Sequence, residues 1–128
     1  MRLSRKLSFL ALLILSQFII GFNIACSRSE IPAEEAINYV GQKKTVCGVV
    51  ASVKYARRVR GQPTFINLGK PYPNQDFTFV IWGEDRDKFS SLLEEIRPGR
   101  ELCSTGLIKL YHGKPEMILS SPSQVKTR

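Results

Sequence analysis

Two short segments of this chain carry its most evident chemistry, and they share one outline. Residues 45–55, TVCGVVASVKY, and residues 102–111, LCSTGLIKLY, each hold a Cys, then a Gly, an aliphatic run and a closing Lys and Tyr. Two strands of this design, each leaving through a basic and aromatic end, would give a small closed β-barrel a positively charged mouth, which is where an anionic ligand is to be sought. Arg57, Arg58 and Arg60 follow the first exit, and His112 and Lys114 follow the second. Clustered cations of this kind suit a phosphate backbone, each contact adding salt-sensitive affinity.

Catalytic signals are thin by comparison. Asp76, Glu84, Asp85 and Asp87 are the acids in question, but Gly83-Glu84-Asp85-Arg86-Asp87 reads first as a polar turn leading into a helix with acids at its amino end. A metal-dependent nuclease needs several carboxylates converging on one cation with an activated water, and these spacings do not require that arrangement. His112 is the only histidine and sits in a turn, so neither a Ser-His-Asp set nor a metal site is expected. No cofactor is expected, and the chain reads as non-catalytic, with an accessory role beside a nuclease that supplies its own carboxylates as a further reading.

The elements that would position these residues follow from the pattern along the chain. Its 128 residues suit one domain. Arg2, Arg5 and Lys6 precede an apolar run from Phe9 to Ile20, and Ala25 and Ser27 are small. This is the grammar of an export signal, with an uncleaved membrane anchor as the alternative. Ile24-Ala25-Cys26 resembles the end of a bacterial lipobox, in which the Cys is lipidated, although Asn23 departs from that pattern. Either route leaves about 100 residues, enough for one modest core. The 19 basic residues exceed the 11 acidic ones, and they still do when Arg2, Arg5 and Lys6 are removed. That balance favours anionic partners or serves only solubility. Cys47 and Cys103 form no CxxC motif; in an oxidising compartment such a pair suggests a disulfide, in the cytosol two buried thiols.

Ser29 to Val40 carries a helix-start signal, with Pro32 in the first turn, Glu34 and Glu35 near the positive end, and Ala33, Ile37 and Val40 as the apolar face. Thr45–Tyr55 then reads as a long strand that can bend or bulge at Gly48. Thr64–Leu68 and Phe77–Trp82 are the next strands, the latter apolar on both faces, with a two-proline turn between them. Helical spacing covers Arg86 to Ile96, and Leu102–Tyr111 and Glu116–Leu119 are strands joined by the turn at His112-Gly113-Lys114-Pro115. The segment from Ser120 to Arg128 reads as frayed or loosely docked.

From about Ala36 to Val125 the chain resembles bacterial exported OB-fold domains of the tRNA-anticodon/helicase nucleic-acid-binding type. The resemblance is carried by Val46-Cys47-Gly48-Val49-Val50, Pro63 to Gly69, Phe77 to Trp82, Gly106-Leu107-Ile108, Gly113-Lys114-Pro115-Glu116 and Ser121 to Gln124, in that order. It implies a mainly β fold: a five-stranded Greek-key barrel with a helix between strands three and four. The domains would then be 1–26 signal peptide or membrane anchor, 27–44 linker and short helix, 45–125 OB-fold domain and 126–128 tail. It also implies that strands one and four are antiparallel neighbours, and with the export signal it points to a Cys47–Cys103 disulfide.

Binding in such domains runs across strands two and three between the first and last hairpin loops. The resemblance therefore places Lys54, Arg57, Arg58, Arg60, Lys109, His112 and Lys114 on or beside those loops, with Tyr55, Phe65, Tyr72 and Tyr111 near enough to stack on bases. Phe65, Phe77, Phe79 and Trp82 read first as core rather than platform, and Arg57 to Arg60 equally as a solvated loop. The resulting expectation is an exported protein of the periplasm or cell envelope, lipid-anchored if Cys26 is modified, that binds nucleic acid or another polyanion. The rival is an envelope lipoprotein interaction module contacting protein or glycan.

Overall fold

The computed structural model describes residues 29–128. The expectations for residues 1–26, including Cys26, lie outside the described residues. Among the described residues no helix is long and apolar enough to cross a membrane.

The molecule is mainly β, with strands β1 (Glu30–Pro32), β2 (Lys43–Tyr55), β3 (Thr64–Leu68), β4 (Phe77–Ile81), β5 (Glu101–Leu107), β6 (Lys109–Tyr111), β7 (Lys114–Ile118) and β8 (Val125–Thr127). An α-helix, α1 (Ser90–Glu95), extends a 3-10 turn at Gly83–Phe89 between β4 and β5. The strand order is β6-β7-β4-β3-β2-β5-β8, with β1 on β2. Among the described residues eight strands replace the expected five, because β1 and β8 are additional short edges and because the expected strand at 102–111 is broken at Ile108. The hydrogen-bonded path is open, yet β5 and β6 lie at or near its two ends and belong to one run of chain. Ile108 joins them, and its backbone bonds to Gly41 and Gln42 just ahead of β2.

β2 organises the sheet because it is long enough to serve two neighbours. Lys43 to Val49 pair antiparallel with β5, and Val50 to Tyr55 pair antiparallel with β3. The irregularity lies between Val50 and Ser52, not at Gly48, where pairing runs unbroken. Gly48 has another reason: a Cβ there would come within 2.9 Å of the Ala33 side chain, so it makes room for the segment that crosses β2. The bulge at Ala51 also reverses which side chains point inward. Val46 and Val50 are core before it; Ser52 and Lys54 are turned onto the outer face after it, aligned with Asn67 and Phe65 of β3.

The core is built from the inner rows, including Val46, Ile66, Leu68, Phe77, Phe79, Ile81 and Met117, and is capped by Phe89 and Ile96 from the helical segment. The expected amino-terminal helix is instead β1 followed by a 3-10 turn, Ala33–Tyr39. Its buried face follows a period of three, with Ala33 and Ala36 buried and Tyr39 packed on the core, so Ile37 and Val40 face outward. The carboxyl end is docked rather than frayed. Gln124 Oε1 accepts from the Ser120 and Ser121 amides, β8 pairs with β5, and Arg128 bridges to Glu30 at 2.8 Å.

Cys47 and Cys103 are direct cross-strand partners and form a disulfide. The pairing works although both lie early in their segments, because β2 begins two residues sooner than expected and only its first half pairs with β5.

Candidate nucleic-acid interface

The outer face of β2, β3, β4 and β7 carries two adjacent rows. Lys54, Phe65, Val80 and Ile118 form one, and Ser52, Asn67, Thr78 and Glu116 form the next, ending at Lys109 of β6. The second row is polar where a strand buried on both sides would be apolar. Asn67 Nδ2 donates to Ser52 Oγ at 3.0 Å, and Thr78 Oγ1 donates to Asn67 Oδ1 at 2.9 Å. Both Asn67 and Thr78 are buried, so these bonds satisfy side chains that would otherwise be costly there.

Over these rows opens a cavity of about 660 Å³. Of the residues expected at the site, Lys54, Phe65, Tyr72, Tyr111, His112 and Lys114 line it together. Tyr72 is 78% exposed and Tyr111 60%, so both rings offer free faces. Tyr111 meets His112 edge-on at 4.2 Å between ring centroids. Lys114 Nζ donates to the Gln75 carbonyl at 3.4 Å, tying the β6–β7 turn to the β3–β4 loop.

The remaining expected residues lie elsewhere. Tyr55 falls in register with Thr64 and Ile81, on the inner side of the sheet's end. One ring face is covered by the Arg86 guanidinium, 3.9 Å from the centroid, and Arg57 lies 5.6 Å from it. Arg86 also donates to Thr64 Oγ1 at 2.6 Å, which fixes this stack. Arg57, Arg58 and Arg60 are exposed in the β2–β3 loop. The register puts that loop at the Thr64 end of the face and the β6–β7 turn at the Phe77 end. The two basic groups therefore flank the groove from opposite ends, about 13 Å of strand apart, rather than meeting in one mouth. Lys109 is outside the cavity but opposite Glu116 in the ladder.

Asn67, Pro73, Gln75, Thr78, Pro115 and Glu116 complete the lining and were not anticipated. Polar residues inside the apolar runs TFINL and FTFVI were the available signal for Asn67 and Thr78. Among the described residues Glu116 is the one acid lining the groove; burial pushes its carboxyl above the usual range, and Lys109 opposes that shift.

The other acids do not join this site. Asp85 is paired with Lys88 at 2.7 Å, and Glu84 and Asp87 are exposed. Asp76 lines a second cavity of about 510 Å³ with Glu30, Glu34 and Glu101. Glu30 also comes within 4.8 Å of both cysteine sulfurs. Sulfurs bonded to each other are not thiolate ligands, which leaves one carboxylate donor there.

No family model matches the chain, and no curated protein matches it significantly. Solved structures do. An OBody, AM3L15, bound to hen egg-white lysozyme superposes with a TM-score of 0.54 at 14% identity, covering 76% of this chain and 91% of its own. A putative aspartyl-tRNA synthetase from Leishmania major Friedlin gives 0.54 at 12% identity, covering 94% of this chain and 26% of the synthetase. RecG bound to a three-way DNA junction gives 0.53 at 17% identity, covering 79% of this chain and 12% of RecG. At these identities the likeness is one of fold, and the fold of this chain is OB-like.

Proposed function

We propose that this protein is an exported, non-catalytic domain that binds single-stranded nucleic acid across the outer face of β2, β3, β4 and β7. The observation that carries the reading is the groove itself: Phe65, Tyr72 and Tyr111 supply ring faces between a basic loop at one end and Lys114 at the other. Stacking on aromatic faces with cations along the path is how a strand is held without dependence on one sequence. RecG bound to DNA and the tRNA synthetase share this fold, which supports the reading. The OBody bound to lysozyme shows why fold alone is not enough, and a barrel contacting protein or glycan in the cell envelope is the rival.

Salt dependence separates the two. The purified protein is titrated with labelled single-stranded DNA and RNA at two salt concentrations. Changing Arg57, Arg58 and Arg60 to Ala is expected to weaken binding and to make the log–log salt slope shallower by about two, since three fewer phosphates are neutralised. A folded triple variant that binds as tightly as the parent at both salts would favour the envelope reading.

A further inference from the structure

The groove contains acceptors that a site for phosphate alone does not need. Glu116 stands in the same cavity as Lys54, His112 and Lys114, and its negative charge repels a phosphate backbone. Among the described residues it has no ion-pair partner. Gln75, which lines the same cavity, is only 7% exposed, and its Oε1 has no hydrogen-bond partner among the described residues. A buried acceptor left unpaired is costly, and it is relieved when a ligand brings a donor. Asn67 is already bonded to Ser52 and to Thr78, whereas the Glu116 carboxylate has no ion-pair partner and the Gln75 amide oxygen no hydrogen-bond partner among the described residues.

Resting on the single-strand reading above, we infer that this cavity takes a guanine base, held by its N–H edge against Glu116, with the Gln75 amide turning to take the remaining N2 hydrogen. An ionised carboxylate is acceptor-only and presents two oxygens as a fork. Guanine is the base that matches it, because N1–H and the N2 amino group lie side by side and offer three hydrogens. Uracil and thymine place one N–H between two carbonyl oxygens, which a carboxylate repels. Adenine and cytosine place their amino group beside a ring nitrogen that itself accepts. Phe65 and Tyr111 then supply ring faces for the purine, and Lys54 and Lys114 meet the phosphates on either side.

The test is competition binding with three short DNA strands: all thymidine, one central guanosine in thymidine, and one central inosine in thymidine. Inosine keeps N1–H and lacks the N2 amino group. The guanosine strand is expected to bind about tenfold more tightly than the thymidine strand, with the inosine strand between them. E116Q is expected to remove the guanosine step while tightening the all-thymidine strand, because a negative charge has left the groove. If the thymidine strand binds with the expected salt dependence and guanosine adds nothing, the inference fails and the single-strand reading stands. If guanosine preference survives in E116Q, Glu116 does not read the base. If no strand binds at low salt, the single-strand reading itself fails.

Discussion

The two look-alike segments, 45–55 and 102–111, end up as neighbours, and each changes partner halfway along. β2 leaves β5 for β3 at the bulge around Ala51, and the second segment leaves β2 for β7 at Ile108. The cysteine ends are joined to each other, and the Lys-Tyr ends diverge. What differs is how each break treats side-chain direction. The bulge sends Lys54 into the groove and Tyr55 to the other side under Arg86, whereas the break at Ile108 leaves Tyr111 lining the groove and Lys109 opposite Glu116. Similar sequences thus deliver a cation from one segment and a ring from the other.

The largest effect is expected from inserting one Ala between Ser52 and Val53, which turns Lys54 toward the core side and Val53 outward while Val50 and Ser52 keep their partners. Thermal unfolding followed by circular dichroism should lose its cooperative transition. A sharp transition with groove binding intact would break the account of the bulge. Next comes the joined end. Cys47 and Cys103 are separated by 56 residues, and replacing both with Ser is expected to cost about 2 to 4 kcal/mol in denaturant unfolding.

The two tyrosines sharpen the comparison directly. Tyr111→Ala is expected to cost roughly 1 to 3 kcal/mol of single-strand binding with little change in salt slope. Tyr55→Ala should instead lower stability through its lost stack with Arg86 and leave binding nearly as it was; equal binding losses in the two variants would contradict the placement. The smallest effect concerns Glu116, which faces Lys109 across the ladder and shares its cavity with Lys54, His112 and Lys114. Burial raises its carboxyl, so the folded state keeps a proton that the unfolded chain has released. The stability this group contributes is full below the ordinary carboxylate range and is lost as pH rises through the raised value. Glu116→Gln is accordingly expected to raise the melting temperature by a few degrees at most at neutral pH and to give no gain in acid.

Much of the strand layout was legible because alternation and apolar runs are local signals. Thr64–Leu68 and Phe77 to Ile81 appear at or within a residue of where the pattern puts them. The amino-terminal turn was misjudged because 33, 37 and 40 fit an α-helical face as readily as 33, 36 and 39 fit a 3-10 face, and only packing on β2 distinguishes them. The carboxyl-terminal strand was not legible, because it is three residues long and owes its place to Gln124 and Arg128 reaching partners distant in sequence.

By itself the sequence determined the mainly β character, the basic and aromatic exits, and the two cysteines available for pairing, since each follows from residue type and short-range period. Only the tertiary structure decided which of those side chains share a cavity. Strand residues alternate between faces, so one inserted residue at Ala51 reassigns every position beyond it, and nothing in the composition marks where that insertion falls. The same holds for the groove's open acceptors. Glu116 and Gln75 are ordinary polar residues in sequence, and it is long-range pairing of strands and loops that places them in one cavity with Lys54 and Lys114 and leaves Gln75 Oε1 buried without a hydrogen-bond partner among the described residues.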